Sequence, residues 1–126
     1  MKISLDQAGT AYVVRSYGPS GVRIAEQVYT RSLILTASTI VEGWRPQHID
    51  DLRPEDLGPL VELRPEVLLI GSGARQQFPE RATLAALYEA GVGFELMDTG
   101  AACRTFNLLV AEGREVTAAL IIESAR

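Results

Sequence analysis

Cysteine, histidine and tryptophan each occur once in this 126-residue chain, and lysine accounts for one of its twelve basic residues. A single cysteine, Cys103, excludes an internal disulfide and fits a reducing compartment. One cysteine and one histidine, His48, do not make a zinc site of the usual composition, so the reading includes no metal and no cofactor. No apolar run comes near the roughly 20 residues a bilayer-spanning helix needs, which argues against membrane insertion. The N-terminal stretch Met1-Lys2-Ile3-Ser4-Leu5-Asp6 has an acid at position 6 and no long apolar core. It therefore reads as neither a signal peptide nor a transit peptide, and the expected location is cytoplasmic. The net charge is −4 and the arginines are scattered, so nothing supplies the basic face of a nucleic-acid binder.

What is present is ordinary for a soluble globular protein: 47% hydrophobic and 22% charged residues. The length suits one domain, residues 1–126, able to bury about two thirds of its unfolded surface. The organising stretch is Val67-Leu68-Leu69-Ile70-Gly71-Ser72-Gly73. Four apolar residues running into glycine describe a strand buried on both faces, as in the middle of a parallel sheet.

Before it, residues 11–17 favour a strand, Gly18-Pro19-Ser20-Gly21 a turn, and residues 22–29 the partner strand of a hairpin. Further strands are expected at 32–36 and around 40–44, making the first third an antiparallel β unit. Pro54, with Glu55 and Asp56 behind it, opens a helix that Gly58-Pro59 makes short or irregular and Pro65 stops. After the glycine loop, Pro79-Glu80 opens a second helix with Leu84, Leu87 and Tyr88 on one face and Gly91 at its C-terminal cap. Strand 94–97 follows. Asp98 or Thr99 caps a third helix whose Ala102, Phe106, Leu109 and Val110 form an apolar stripe, and an apolar strand from Val116 to Ile122 ends the chain. The second half is strand–helix–strand–helix–strand. Right-handed crossovers make strands 67–71 and 94–97 parallel, with their carboxyl ends at one rim. The fold class is α/β.

That rim is where ligands sit in open α/β sheets. Gly71, Ser72 and Gly73 face the start of the third helix there, with Thr99, Ala101, Arg104 and Asn107 as the further candidate residues. Their amides and Arg104 suit an anion, a carboxylate or a phosphate. The competing reading is that the glycines only turn the chain, the helix is capped, and Arg104 pairs with a surface acid. A dinucleotide fingerprint is not met, because Gln76 stands where its third glycine belongs. The hydrolase elbow is not met either, since Ile70 and Ala74 occupy the positions its glycines require around Ser72. No complete catalytic set is visible. Cys103 is either a helix-activated thiol or a small buried hydrophobe. Trp44 either anchors the β layer on the first helix or is an exposed aromatic of an interaction surface.

The run Leu68 to Gly73, then Gly91, then Met97-Asp98-Thr99-Gly100-Ala101-Ala102-Cys103-Arg104-Thr105-Phe106-Asn107-Leu108-Leu109, then Glu112 to Val116, resembles the Mth938-domain family. The resemblance covers nearly the whole chain. It implies a three-layer α/β fold with a mixed central sheet. It also implies that bacterial members have no established activity, that mitochondrial relatives act as an assembly factor for respiratory complex I, and that another animal relative is linked to fat-cell differentiation. Two positions depart from the family. Ser72 stands where threonine is frequent, and Phe106 where tyrosine is, which removes any role for a phenol there. The mitochondrial members' presequence has no counterpart here. The functional expectation is a non-enzymatic binding protein with protein partners in complex assembly. The alternative is a small-molecule binder or enzyme at the rim, and a homo-oligomer is compatible with either.

Overall fold

The structure, a computed structural model, describes residues 2–4 and 10–123. Half of the N-terminal stretch discussed above (Met1, Leu5 and Asp6) thus lies outside the described residues. Among the described residues nine strands and three α-helices follow in chain order: β1 (Lys2–Ser4), β2 (Val14–Gly18), β3 (Gly21–Ile24), β4 (Gln27–Tyr29), β5 (Leu33–Thr36), β6 (Thr39–Glu42), α1 (Gly58–Glu62), β7 (Val67–Gly71), α2 (Ala85–Glu89), β8 (Phe94–Met97), α3 (Thr99–Ala111) and β9 (Val116–Leu120).

Six strands make one mixed sheet in the order β1-β6-β5-β9-β7-β8. β9 is central, antiparallel to β5 and parallel to β7, and β7 is parallel to β8. The chain steps outward from β7 to β8 and then back past β7 to β9. Right-handed crossovers in opposite directions put α2 and α3 on opposite faces of the sheet. The core follows that division. Leu33, Leu35, Leu69, Ala118 and Leu120 point to one face, under Ala102, Cys103 and Phe106 of α3 and under Val14, Val22, Ile24 and Tyr29. Their neighbours Ile34, Leu68, Ile70, Ala119 and Ile121 point to the other, under Trp44, Leu57, Leu60, Leu84 and Leu87. The alternation is the period-two pleat of strands buried on both sides.

The antiparallel first third is present but divided. β5 and β6 extend the main sheet, whereas β2, β3 and β4 form a separate three-stranded sheet. The single strand expected over 22–29 is two strands, because Ala25 takes φ 54° and turns the chain between Ile24 and Gln27. Hairpin turns of this kind usually advertise themselves with glycine or asparagine, and Ala25-Glu26 does not.

The first helix is irregular, as Gly58-Pro59 implies: a 3₁₀ turn over Pro54–Leu57 leads into α1. The second also starts as a 3₁₀ turn, Arg81–Leu84, before α2. That tighter winding aligns Leu84 with Leu87 and rotates Tyr88 outward, correcting the expectation that Tyr88 shares the core face. Gly91, at φ 70°, ends α2 as expected, and the Val92 N–H reaches back to the Leu87 C=O at 2.9 Å.

Candidate functional site

β7 and β8 do finish at one rim, with Gly71 beside Met97 and the Ser72 N–H donating to the Met97 C=O at 2.8 Å. The polar groups at that rim are engaged within the fold. Ser72 is buried. Its hydroxyl donates to the Arg75 C=O at 2.7 Å and accepts the Gln77 N–H at 3.1 Å, closing the loop after β7 on itself. The Thr99 hydroxyl, also buried, donates to the Ile121 C=O at 2.7 Å and accepts the Gly73 N–H at 2.9 Å. The Thr99 N–H meets the Gly73 C=O at 2.8 Å, so α3 is fastened to the glycine loop by backbone and side chain together. The glycines serve this closeness. A Cβ on Gly71 would lie 2.8 Å from Thr99 Oγ1, and Gly73 has φ 106°, where other residues are strained.

The start of α3 is capped from within, since Asp98 Oδ1 accepts the Ala101 N–H at 2.8 Å. Asn107 faces β2 rather than the rim. Its carboxamide accepts the Val14 N–H and donates to the Val14 C=O, both at 2.8 Å, as a neighbouring strand would.

A carboxylate does sit at the glycine loop, and it is the protein's own. Glu123 Oε1 accepts the Ala74 N–H at 2.8 Å, and Glu123 Oε2 lies 3.3 Å from His48 Nε2. A Cβ on Gly73 would come within 2.6 Å of the Glu123 carboxyl carbon. The sequence reading missed Glu123, although a signal was available: β9 is parallel to β7, so the residues after its end must reach the same rim. Beside Glu123 opens a cavity of about 320 Å³ bounded by Pro19, Gly21, Thr30, Arg31 and Ile122.

Arg104 is exposed, and no carboxylate pairs with it among the described residues. Its guanidinium and the Tyr17 ring flank Gly100, where an added Cβ would lie 3.4 Å from Arg104 Nη1 and 3.1 Å from Tyr17 Cδ2. Partial burial raises the Tyr17 phenol above its ordinary value, helped by the nearby Cys103, Glu123 and Asp98. Cys103 is 3% exposed, and burial pushes its thiol up to about 12, against the opposing pull of Arg104. It is the buried hydrophobe of the two readings, not an activated thiol. Trp44 is 5% exposed and its indole N–H donates to the Asp56 C=O at 3.0 Å. Its ring anchors the β layer on the first helical segment and is not available as an interaction surface.

Residues 14–121 match the family described as "Protein of unknown function (DUF498/DUF598)". Among curated relatives, the 13 kDa major membrane protein of Francisella tularensis is 33% identical over 94 residues, 74% of this chain and 76% of its own. The NADH dehydrogenase [ubiquinone] 1 alpha subcomplex assembly factor 3 of Danio rerio is 32% identical over 123 residues, 96% of this chain and 70% of its own. A solution structure from Bordetella pertussis, described as a Mth938-like domain, superposes with a TM-score of 0.75 at 29% identity, covering 98% of this chain and 94% of that one. Among the described residues no helix is long and apolar enough to cross a membrane. The chain belongs to the DUF498/DUF598 family and has its Mth938-like α/β fold.

Proposed function

We propose that this chain works by binding protein partners during assembly of a respiratory membrane complex, acting from the cytoplasm and without a catalytic step of its own. One observation carries the reading. The rim that an α/β sheet ordinarily offers to a ligand is closed by internal hydrogen bonds through Ser72, Thr99 and Glu123, so its polar atoms hold the fold together. The assembly role is brought by relatives named as assembly factors for NADH dehydrogenase, similar over nearly the full length of this chain. The test is affinity purification of the tagged full chain from detergent-solubilised membranes of its source cells. Co-purification of subunits of one respiratory complex supports the reading, and their absence counts against it.

Arg104 favours a second reading. A guanidinium with no carboxylate partner among the described residues, beside Tyr17, suits a small carboxylate or phosphate. In that reading Arg104 touches the ligand, while Gly71, Ser72, Gly73, Thr99 and Ala101 shape the rim behind it, and Asn107 only fastens β2 to the same helix. Titration with inorganic phosphate and citrate, followed by NMR, tests it. Shifts centred on Arg104 that vanish in Arg104→Ala support it, and unmoved spectra dispose of it. Light scattering tests whether the chain also self-associates.

A further inference from the structure

We propose that the outer edge of β8 and the aromatic groove beside it form a docking surface for an extended protein segment that alternates apolar and basic side chains. The proposal rests on the partner-binding reading above and names the surface and the chemistry of the partner.

β8 is the last strand of the six-stranded sheet and, among the described residues, pairs only with β7. Because the Met97 C=O faces β7, where it accepts the Ser72 N–H, Glu95 also turns its backbone groups to β7, and the alternate residues Phe94 and Leu96 turn theirs outward. The Gln76 carboxamide covers one of these, donating to the Leu96 C=O at 3.0 Å. The N–H and C=O of Phe94 and the N–H of Leu96 have no partner among the described residues. A row of unpaired backbone groups is a template for another strand unless it is covered or charged.

A groove runs beside this edge. Phe78, Leu87, Tyr88, Val92, Phe94 and Leu96 line a cavity of about 510 Å³. Phe78 is 65% and Tyr88 63% exposed, and the Tyr88 and Phe94 rings meet edge-to-face with centroids 5.6 Å apart. Backbone pairing at an open edge combined with a pocket for alternate side chains is how sheets take up extended peptides.

The pleat dictates the partner's pattern. Side chains opposite Phe94 and Leu96 fall on the groove face and should be apolar. The one between them falls on the opposite face, across from the exposed Glu95. Opposite charges pair favourably across strands, and like charges do not. Residues 77–97 bear three acids, Glu80, Glu89 and Glu95, against the single base Arg81, so lysine or arginine fits. A second copy of this chain brings the same acidic edge. Antiparallel β8–β8 pairing about Glu95 sets two carboxylates opposite each other, which like charges disfavour.

The test is NMR titration of the purified full chain with a short acetylated peptide of alternating valine and lysine, and with a valine–glutamate peptide as control. The lysine peptide should bind the tighter by about fivefold, shift Phe78, Tyr88 and Phe94 most, and slow amide exchange at Phe94 and Leu96. Glu95→Lys should reverse the preference. Equal binding of both peptides, or shifts away from β8, would overturn the proposal, as would a wild-type dimer paired through β8. Phe94→Pro removes an outward N–H without removing a β7 hydrogen bond; should it not fold, the Glu95→Lys comparison still decides. In the membrane purification, a folded Phe94→Pro that recovers the same subunits as wild type sinks the edge proposal and leaves the partner-binding reading standing. If wild type recovers none while the lysine peptide still binds at β8, the edge proposal stands and that reading falls.

Discussion

Glu123, just beyond the end of β9, closes on the backbone amide of Ala74 in the loop after β7 at 2.8 Å. A side chain of the protein thus takes the place that the glycine loop and its amides suggest for an external anion. Glu123→Ala should free that amide and cost about 1 to 2 kcal/mol in urea unfolding, since the hydrogen bond is charge-assisted and partly exposed. The variant should also gain a stabilisation by phosphate that wild type lacks. A variant as stable as wild type and equally indifferent to phosphate would show that the contact does neither.

Asn107 predicts a larger loss. Its carboxamide satisfies both backbone groups of Val14, which among the described residues pairs with only one other strand, and so fastens β2 to α3. Asn107→Ala should destabilise the fold by about 2 to 4 kcal/mol, because two partly buried backbone groups lose their partners. The same loss should appear with or without any added ligand. Near wild-type stability would mean that water replaces the amide without penalty.

Cys103 should be silent to thiol reagents in the folded protein. With its thiol pushed up to about 12, the thiolate population at pH 8 falls roughly a thousandfold below that of a free cysteine, and burial blocks access as well. An aromatic disulfide reagent should label the chain only after denaturant is added. Rapid labelling of the native protein would contradict the buried placement.

How much of this was legible in the sequence depends on the range of the interaction. The parallel half could be read because short apolar runs, turn glycines and an apolar helical stripe are local signals. Handedness then made β7 and β8 parallel with a shared rim, while the parallel pairing of β9 with β7 came only with the structure. The split between β3 and β4 could not, since Ala25 adopts its positive φ without a residue type that announces it. Tyr88 was misplaced because helical spacing was assumed where a 3₁₀ turn shifts the phase. At the candidate site the residue types were found but not their partners. Asn107 bonds a residue 93 positions away, and Ala74 bonds Glu123 across 49, separations at which no local pattern carries information.

Glu66 gives the fold an acid-sensitive contact at the opposite end of β7. Its carboxyl lies below the usual carboxylate range because it accepts the Glu115 N–H at 3.1 Å and pairs with Arg114 at 2.7 Å. A carboxyl lowered by folding stabilises the native state above its unfolded value, and the contribution disappears as pH falls through the folded value. Wild type should therefore exceed Glu66→Gln in stability at neutral pH by a small margin that closes below the ordinary carboxylate range. Both partners are exposed, which keeps the margin small. A difference that stays constant from neutral to acid pH would mean that the ionised pair contributes nothing.

The central claim is that the chain acts on other proteins, with its rim closed for structural reasons. The most direct measurement is a native-gel mass profile of membranes from source cells with and without this chain. The account predicts a stalled subassembly of one respiratory complex in the deleted cells, relieved by wild type and also by a folded Arg104→Ala. An unchanged complex profile, or relief by wild type but not by Arg104→Ala, would contradict it.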